Sequence, residues 1–151
     1  MTLRATFYKI AYPVAKIWWF IRRPKVNGAG CVISCGDKLL LIRNTYGGRT
    51  WSFPGGGIKK NEDPGKAAMR EVREEVGIAL AGIKSLGTFL HTLHYRQGTV
   101  NVFTSGTDSK NIEIDKGEIL EAGWFAPEEI SKLELSSIGK RMLQMYNEHK
   151  Q

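Results

Sequence analysis

Residues 63–77 (DPGKAAMREVREEVG) carry both ends of a helix, and so fix what lies between them. Asp63 offers a side-chain oxygen to the unpaired N–H groups of a first helical turn. Pro64 suits the first helical position because it has no N–H to lose, and Gly77 suits a left-handed cap at the other end. Ala68, Val72 and Val76 recur at helical spacing, which predicts a helix over Pro64–Val76 with one buried face.

The segment before this helix is punctuated as strongly. Trp51, Ser52 and Phe53 are expected to be extended, because the residue before Pro54 is pushed out of the helical region. Gly55, Gly56 and Gly57 then form a loop open to backbone angles that other residues resist. Residues 28–34 and 38–43 read as two strands joined by a tight turn at Cys35-Gly36-Asp37. Residues 44–49 read as a loop, 83–95 and 99–104 as a second hairpin turning at Arg96-Gln97-Gly98, and 122–125 as a last strand. A short helical turn opens at Pro127, and an amphipathic helix runs over 136–148. Strands mixed with interspersed helices make an α+β sandwich, not a strictly alternating parallel sheet.

The chemistry is concentrated on the predicted helix. Glu71, Glu74 and Glu75 stand at i, i+3 and i+4 and share one face, where like charges repel. Two readings follow from the residues alone. One is a solvated charged face laced by pairs such as Arg70–Glu74. The other is a cation held among the carboxylates, and oxygen-only ligands select a hard ion, magnesium or manganese, rather than zinc.

The wider spacing bears on that choice. Gly56, five residues, Glu62, seven residues, Arg70-Glu71-Val72, one residue, Glu74-Glu75, one residue, Gly77-Ile78 resembles the Nudix box at every fixed position. The Trp51-Ser52-Phe53-Pro54 lead-in resembles that family too. The resemblance implies a Nudix fold, a mixed β-sheet between helices in an α/β/α sandwich, occupying 26–151 behind an arm of residues 1–25. It implies an enzyme that cuts a diphosphate bond in a nucleoside diphosphate linked to another group: a nucleotide sugar, a nucleoside triphosphate, a dinucleoside polyphosphate or a capped RNA end. The alternative is a catalytically silent ligand-sensing module on the same fold.

By the same resemblance Glu74 and Glu75 are the principal metal ligands, with the carbonyl of Gly55 a further one. Glu71 is a ligand or general base, Glu62 supports the cluster together with Gly56, and Arg70 orients a catalytic carboxylate. Relatives recruit one more Glu from beyond the box. Of Glu113, Glu118 and Glu121, Glu118 is favoured. The proline that would mark an ADP-ribose-cleaving branch is absent, since Leu93 stands at its position. Tyr95 resembles the tyrosine of enzymes acting on dinucleoside polyphosphates, and equally fits a sheet-face tyrosine.

Arg43, Arg49 and Trp51 flank the glycine loop. They are candidates for holding phosphate and stacking on a base, with loop surface and core packing as the plain alternatives. His91 and His94 would face opposite sides of one strand, which argues against a shared metal.

Net charge is +7, and residues 1–25 alone supply six basic side chains and no acid. The rest is near neutral, so a nucleic-acid footprint spread across the domain is not expected. Ile10, Val14, Ile17 and Ile21 give the arm an apolar stripe. It would dock on its own domain or a second subunit of a homodimer, or, through residues 1–24, on an anionic membrane. The stretch 7–21 is too short, and too interrupted by Lys9, Pro13 and Lys16, to span a bilayer. No signal-peptide cleavage site follows it. Cys31 and Cys35, about 13 Å apart on one strand, are expected to be free packed thiols, which fits a reducing cytoplasm.

Overall fold

The computed structural model describes residue 11 and residues 27–46, 48–93 and 96–151. The readings of the N-terminal arm, His94 and Tyr95 lie outside the described residues.

Strand β1 (Gly28–Cys35) turns into β2 (Lys38–Asn44) with Cys35 opposite Lys38. Gly36 takes φ +61° while Asp37 does not go positive, the pattern of a turn with glycine at its first central position. β3 (Gly55–Gly57) precedes helix α1 (Pro64–Val76), and the long hairpin β4 (Lys84–Leu93) and β5 (Arg96–Gly106) follows. β6 (Ile119–Phe125), α2 (Pro127–Ile130) and α3 (Ser137–Lys150) complete the order. The sheet runs β4-β5-β1-β2-β6, with β3 paired to β1. β1 and β5 are parallel and the other pairs antiparallel, so the sheet is mixed.

The central strands are apolar on both faces, and their alternation divides the core in two. Cys31, Ile33, Leu40 and Ile42 face Val72 and Val76 of α1. Val32, Leu39 and Leu41 face Met142 and Met145 of α3, with Trp51 and Phe53. A sheet buried on both faces between helices is the α/β/α sandwich expected.

The caps of α1 are those read from the sequence. Asp63 Oδ1 accepts from the Lys66 N–H at 3.0 Å, and Gly77 closes α1 at φ +72° with its N–H on the Arg73 carbonyl. Ser136 caps α3 by accepting from the Gly139 N–H at 3.0 Å. Both cysteines are free and buried, as expected.

Three expectations are corrected. Gly55–Gly57 is a strand, not a loop, because β1 offers an unpaired edge at Gly28–Gly30 and glycine lets two backbones close on it. A Cβ on Gly55 would lie 2.6 Å from the Ala29 carbonyl oxygen. The second hairpin turns before Arg96, since Leu93 pairs with Arg96 and residues 96–98 already belong to β5. β6 begins at Ile119 because pairing with β2 continues to Asn44 through an irregularity between Arg43 and Asn44.

Candidate active site

β3 is the hinge of the site. One of its edges pairs with β1, and the other is taken by side chains from α1. The Gly55 N–H donates to Glu75 Oε2 at 2.9 Å, and the Gly57 carbonyl accepts from Arg70 Nη2 at 3.0 Å. Between them Gly56 makes room for a third group. A Cβ there would sit 2.5–2.7 Å from the carboxylate atoms of Glu71. Gly56 is thus required by the docking of α1 and Gly55 by the close approach of β1, whereas a Cβ on Gly57 would meet nothing within 4 Å.

Arg70 organises the carboxylates. Its Nε and Nη2 meet Glu62 Oε1 and Oε2 at 2.8 and 2.9 Å, its Nη1 reaches Glu71 Oε1 at 2.8 Å, and a longer bond runs to Glu74 at 3.4 Å. With the bond to Gly57, five N–H groups have five acceptors, the full capacity of a guanidinium. Glu62 also accepts from the Lys59 N–H at 2.9 Å. Arg70 and then Lys59 pull its carboxyl down to about 2, so Glu62 is a fixed anion.

The other carboxyls shift the opposite way. Burial pushes Glu71 up, against the pull of Arg70 and with help from Glu74 and Glu118. Glu75 is 3% exposed, the one charged side chain so buried among the described residues. Desolvation raises it well above the usual carboxylate range, opposed by the Gly55 N–H and reinforced by Glu71, Glu118 and Glu74. Glu74 remains half exposed.

The influence of Glu118 on both Glu71 and Glu75 distinguishes it from its rivals. Glu113 lies against Gly77 at the far end of α1, and Glu121 is ion-paired with Arg43. Glu118 is carried there by the segment that crosses the end of α1, where the Asp115 N–H donates to the Glu75 carbonyl at 3.0 Å.

The remaining sequence candidates are not brought together with this cluster. Trp51 is buried in an edge-on contact with Phe125, ring centroids 4.9 Å apart, and Arg43 lies over its ring at 5.2 Å. Backbone bonds from the Trp51 N–H to the Glu134 carbonyl and from the Ser136 N–H to the Trp51 carbonyl, each 2.8 Å, hold the segment so that the indole points into the core. Arg49 is exposed. None of these three lines the cleft beside β3.

That cleft, of about 330 Å³, opens between the sheet and α3. The glycines of β3 form part of its wall, so the wall strand of the cleft is also the strand that α1 grips. Among the lining residues that sequence reasoning did not rank as binding groups are Asn44 and His91. No spacing pattern points to them, since they stand on β2 and β4, which meet at this cleft only in the folded sheet.

Among the described residues no three His, Cys, Asp or Glu side chains are already arranged as a ligand set. The physical reason is Arg70, which occupies Glu71 and Glu74, while Glu75 turns to Gly55. The donors themselves fit a hard divalent cation. They are all carboxylate oxygens, one is buried with like-charged neighbours, and an added positive charge would offset both its desolvation and their repulsion.

The sequence profile of the NUDIX domain matches residues 24–146, most of the chain. The chain belongs to the NUDIX domain family. Within that family it is 39% identical over 74 residues to an RNA pyrophosphohydrolase of Psychromonas ingrahamii, a match covering 49% of this chain and 39% of that protein. It is 32% identical over 107 residues to a MutT-like protein of Streptomyces ambofaciens, covering 71% of this chain and 67% of that one. The chain therefore spans well under half the length of the RNA pyrophosphohydrolases it matches. The NUDIX fold is shared with the crystal structure of a MutT NUDIX hydrolase from Burkholderia pseudomallei at a TM-score of 0.73 and 24% identity, over 81% of this chain and 97% of that one. In this NUDIX domain the box residues are those that meet at β3. No helix of the described residues is long and apolar enough to cross a membrane.

Proposed function

We propose that this NUDIX domain hydrolyses a diphosphate bond in a nucleoside diphosphate linked to another group, with magnesium, or manganese in its place, as the cation. The observation that carries the reading is the Arg70 fork, which holds Glu62, Glu71 and Glu74 at the outer edge of β3 while Glu75 is buried beside them.

Glu74 and Glu75 would hold the cation, with Glu71, Glu118 and the Gly55 carbonyl completing its shell. When bound it supplies charge neutralisation for the diphosphate oxygens and acidifies water. The protein groups do the rest. Glu71, held in place by Arg70, would take the proton of the attacking water. Glu62 anchors Arg70, so Arg70 presents Glu71 in one orientation. The β3 glycines keep side chains out of the path between the cleft and the carboxylates.

The relatives named RNA pyrophosphohydrolase support keeping an RNA end among the substrates to test, alongside nucleotide sugars, nucleoside triphosphates and dinucleoside polyphosphates. The test is a hydrolysis screen over that panel with magnesium, with manganese and with excess chelator. The expected result is cation-dependent cleavage of at least one diphosphate bond. Glu118→Gln should lower kcat by roughly 10-fold or more, and Glu121→Gln should leave it unchanged. Turnover that survives chelation, or nucleotide binding without any turnover, would overturn the reading, the latter in favour of a ligand-sensing module.

A further inference from the structure

Between β3 and α1 stands Asn61, the one residue other than glycine that takes a positive φ among the described residues, at +62°. At that angle a Cβ crowds the backbone, a cost that asparagine bears better than most residues and glycine escapes. The Glu62 N–H donates to the Lys59 carbonyl at 3.1 Å, so residues 59–62 make a tight turn with Asn61 just before its last residue. The Glu62 side chain closes the same turn again, its Oε2 accepting from the Lys59 N–H at 2.9 Å. Glu62 is thus tied to Lys59 through backbone and carboxylate together. The Asn61 side chain is exposed and takes no part in these bonds.

The carboxylate that this turn places is the one that takes Arg70 Nε and Nη2, and the Gly57 carbonyl, just ahead of the turn, takes Nη2 as well. Arg70 in turn donates to Glu71 Oε1 at 2.8 Å. A residue confined to negative φ at position 61 rotates the backbone immediately ahead of Glu62 and carries its carboxylate away from Lys59 and Arg70. From this we infer that Asn61 is a positioning residue for the hydrolysis: its left-handed backbone sets Glu62, Glu62 sets Arg70, and Arg70 sets Glu71. What position 61 contributes is a backbone angle, not a side-chain contact. Its effect reaches the reacting centre only through the side chains that follow it.

This assignment rests on the reading of the glutamate cluster as a diphosphate-hydrolysing centre, but the hold of Asn61 on Arg70 can be measured without turnover. Three substitutions grade the requirement, since glycine takes a positive φ freely, alanine resists it and valine resists it most. With the substrate cleaved fastest in the hydrolysis screen, Asn61→Gly should keep the wild-type kcat. Asn61→Val should lower kcat by roughly tenfold with little change in KM, the scale of a lost orienting partner. Asn61→Ala should fall between them, and it supplies the comparison if the valine variant does not fold. In a Glu62→Ala background, with no carboxylate left to place, Asn61→Val should cost no further activity.

The turnover-free readout is the Arg70 Nε–H resonance, followed by NMR in excess chelator. Its exchange with solvent should be slow in wild type and in Asn61→Gly, and roughly tenfold faster in Asn61→Val. A merely structural role predicts a lower melting temperature for the valine variant with kcat and Arg70 exchange unchanged. That result overturns the inference. So does an equal loss in the glycine and valine variants, which would place the effect in the side chain, or a full further loss in the Glu62→Ala background. Graded Arg70 exchange in a protein that hydrolyses no substrate would leave Asn61 as the holder of the clamp and remove the proposed activity. Hydrolysis that is indifferent to valine at this position would do the reverse.

Discussion

Arg70 and Glu62 face each other across eight residues in a two-point pair, Nε to Oε1 at 2.8 Å and Nη2 to Oε2 at 2.9 Å. The planar fork matches the carboxylate, which a lysine ammonium cannot do. The pair lies at the surface end of the cluster, and its consequence is felt inside it, because the same guanidinium fixes Glu71.

Replacing Arg70 with lysine should therefore lower kcat by about 10–100-fold with little change in KM, the scale seen when an orienting partner is lost. Glu62→Gln should fall in the same direction by less. The folding cost of Arg70→Lys is expected at about 1 kcal/mol, since the side chain is partly exposed and its pairs are screened. Steady-state kinetics beside chemical denaturation separates the two. An unchanged kcat would show that Glu71 needs no such clamp.

The three glycines of β3 should answer differently to alanine. At Gly56 the atoms nearest the added methyl are the carboxylate of Glu71, a side-chain end that yields more easily than backbone, so less stability should be lost than at Gly55 while the displaced carboxylate lowers kcat by about 100-fold. At Gly55 it meets backbone 2.6–2.7 Å away, which cannot yield, and about 1–3 kcal/mol of stability should be lost. At Gly57 nothing lies within 4 Å, and both measurements should stay near wild type. Equal behaviour at all three positions would contradict the account of β3 as a docking edge.

Glu75 is buried as a carboxyl whose charged form is disfavoured by desolvation and by its neighbours. Glu75→Gln should leave the chelated protein within about 1 kcal/mol of wild type, because the amide oxygen can still accept from Gly55. Magnesium at about 100 times its dissociation constant should stabilise wild type by roughly 2.7 kcal/mol, reversed by chelator, and stabilise the variant far less. Thermal shifts with and without magnesium decide this. Equal shifts would remove Glu75 from the ligand set.

Cys31 provides a pH signature away from the site. It is fully buried, and burial pushes its thiol from 9.0 to about 12. The unfolded chain thus releases this proton first. The stability tied to the neutral thiol is complete below pH 9 and is lost as pH rises toward 12. The whole difference is on the order of 4 kcal/mol. Cys31→Ala should be less stable at neutral pH by about 1–2 kcal/mol and should lose less stability than wild type on going from pH 9 to 11. Urea unfolding across that interval tests the slope, and parallel curves for the two proteins would reject it.

The features legible in the sequence were those encoded within a few residues of one another. The α1 boundaries, its Asp63 and Gly77 caps, its buried face and the shared side of Glu71, Glu74 and Glu75 all follow from turn chemistry and helical period, which neighbouring residues impose on each other. So does the β1–β2 hairpin at Gly36. The box spacing, read as a pattern, was enough to suggest the family that the profile over residues 24–146 then established.

Tertiary structure decided what depended on segments far apart in the chain. Gly55–Gly57 carries no side chains and hence no strand pattern, and became a strand because the edge of β1 was there to pair with. Trp51 beside a glycine run could read as a base-stacking group until its backbone bonds aimed the indole into the core. The path of its segment across the end of α1 brings Glu118, unlike Glu113 and Glu121, within electrostatic reach of Glu71 and Glu75. That Asn44 and His91 both line one cleft has no local signature at all. Periodicity and capping are short-range and can be written in sequence, whereas burial and edge pairing are set by what the rest of the chain brings alongside.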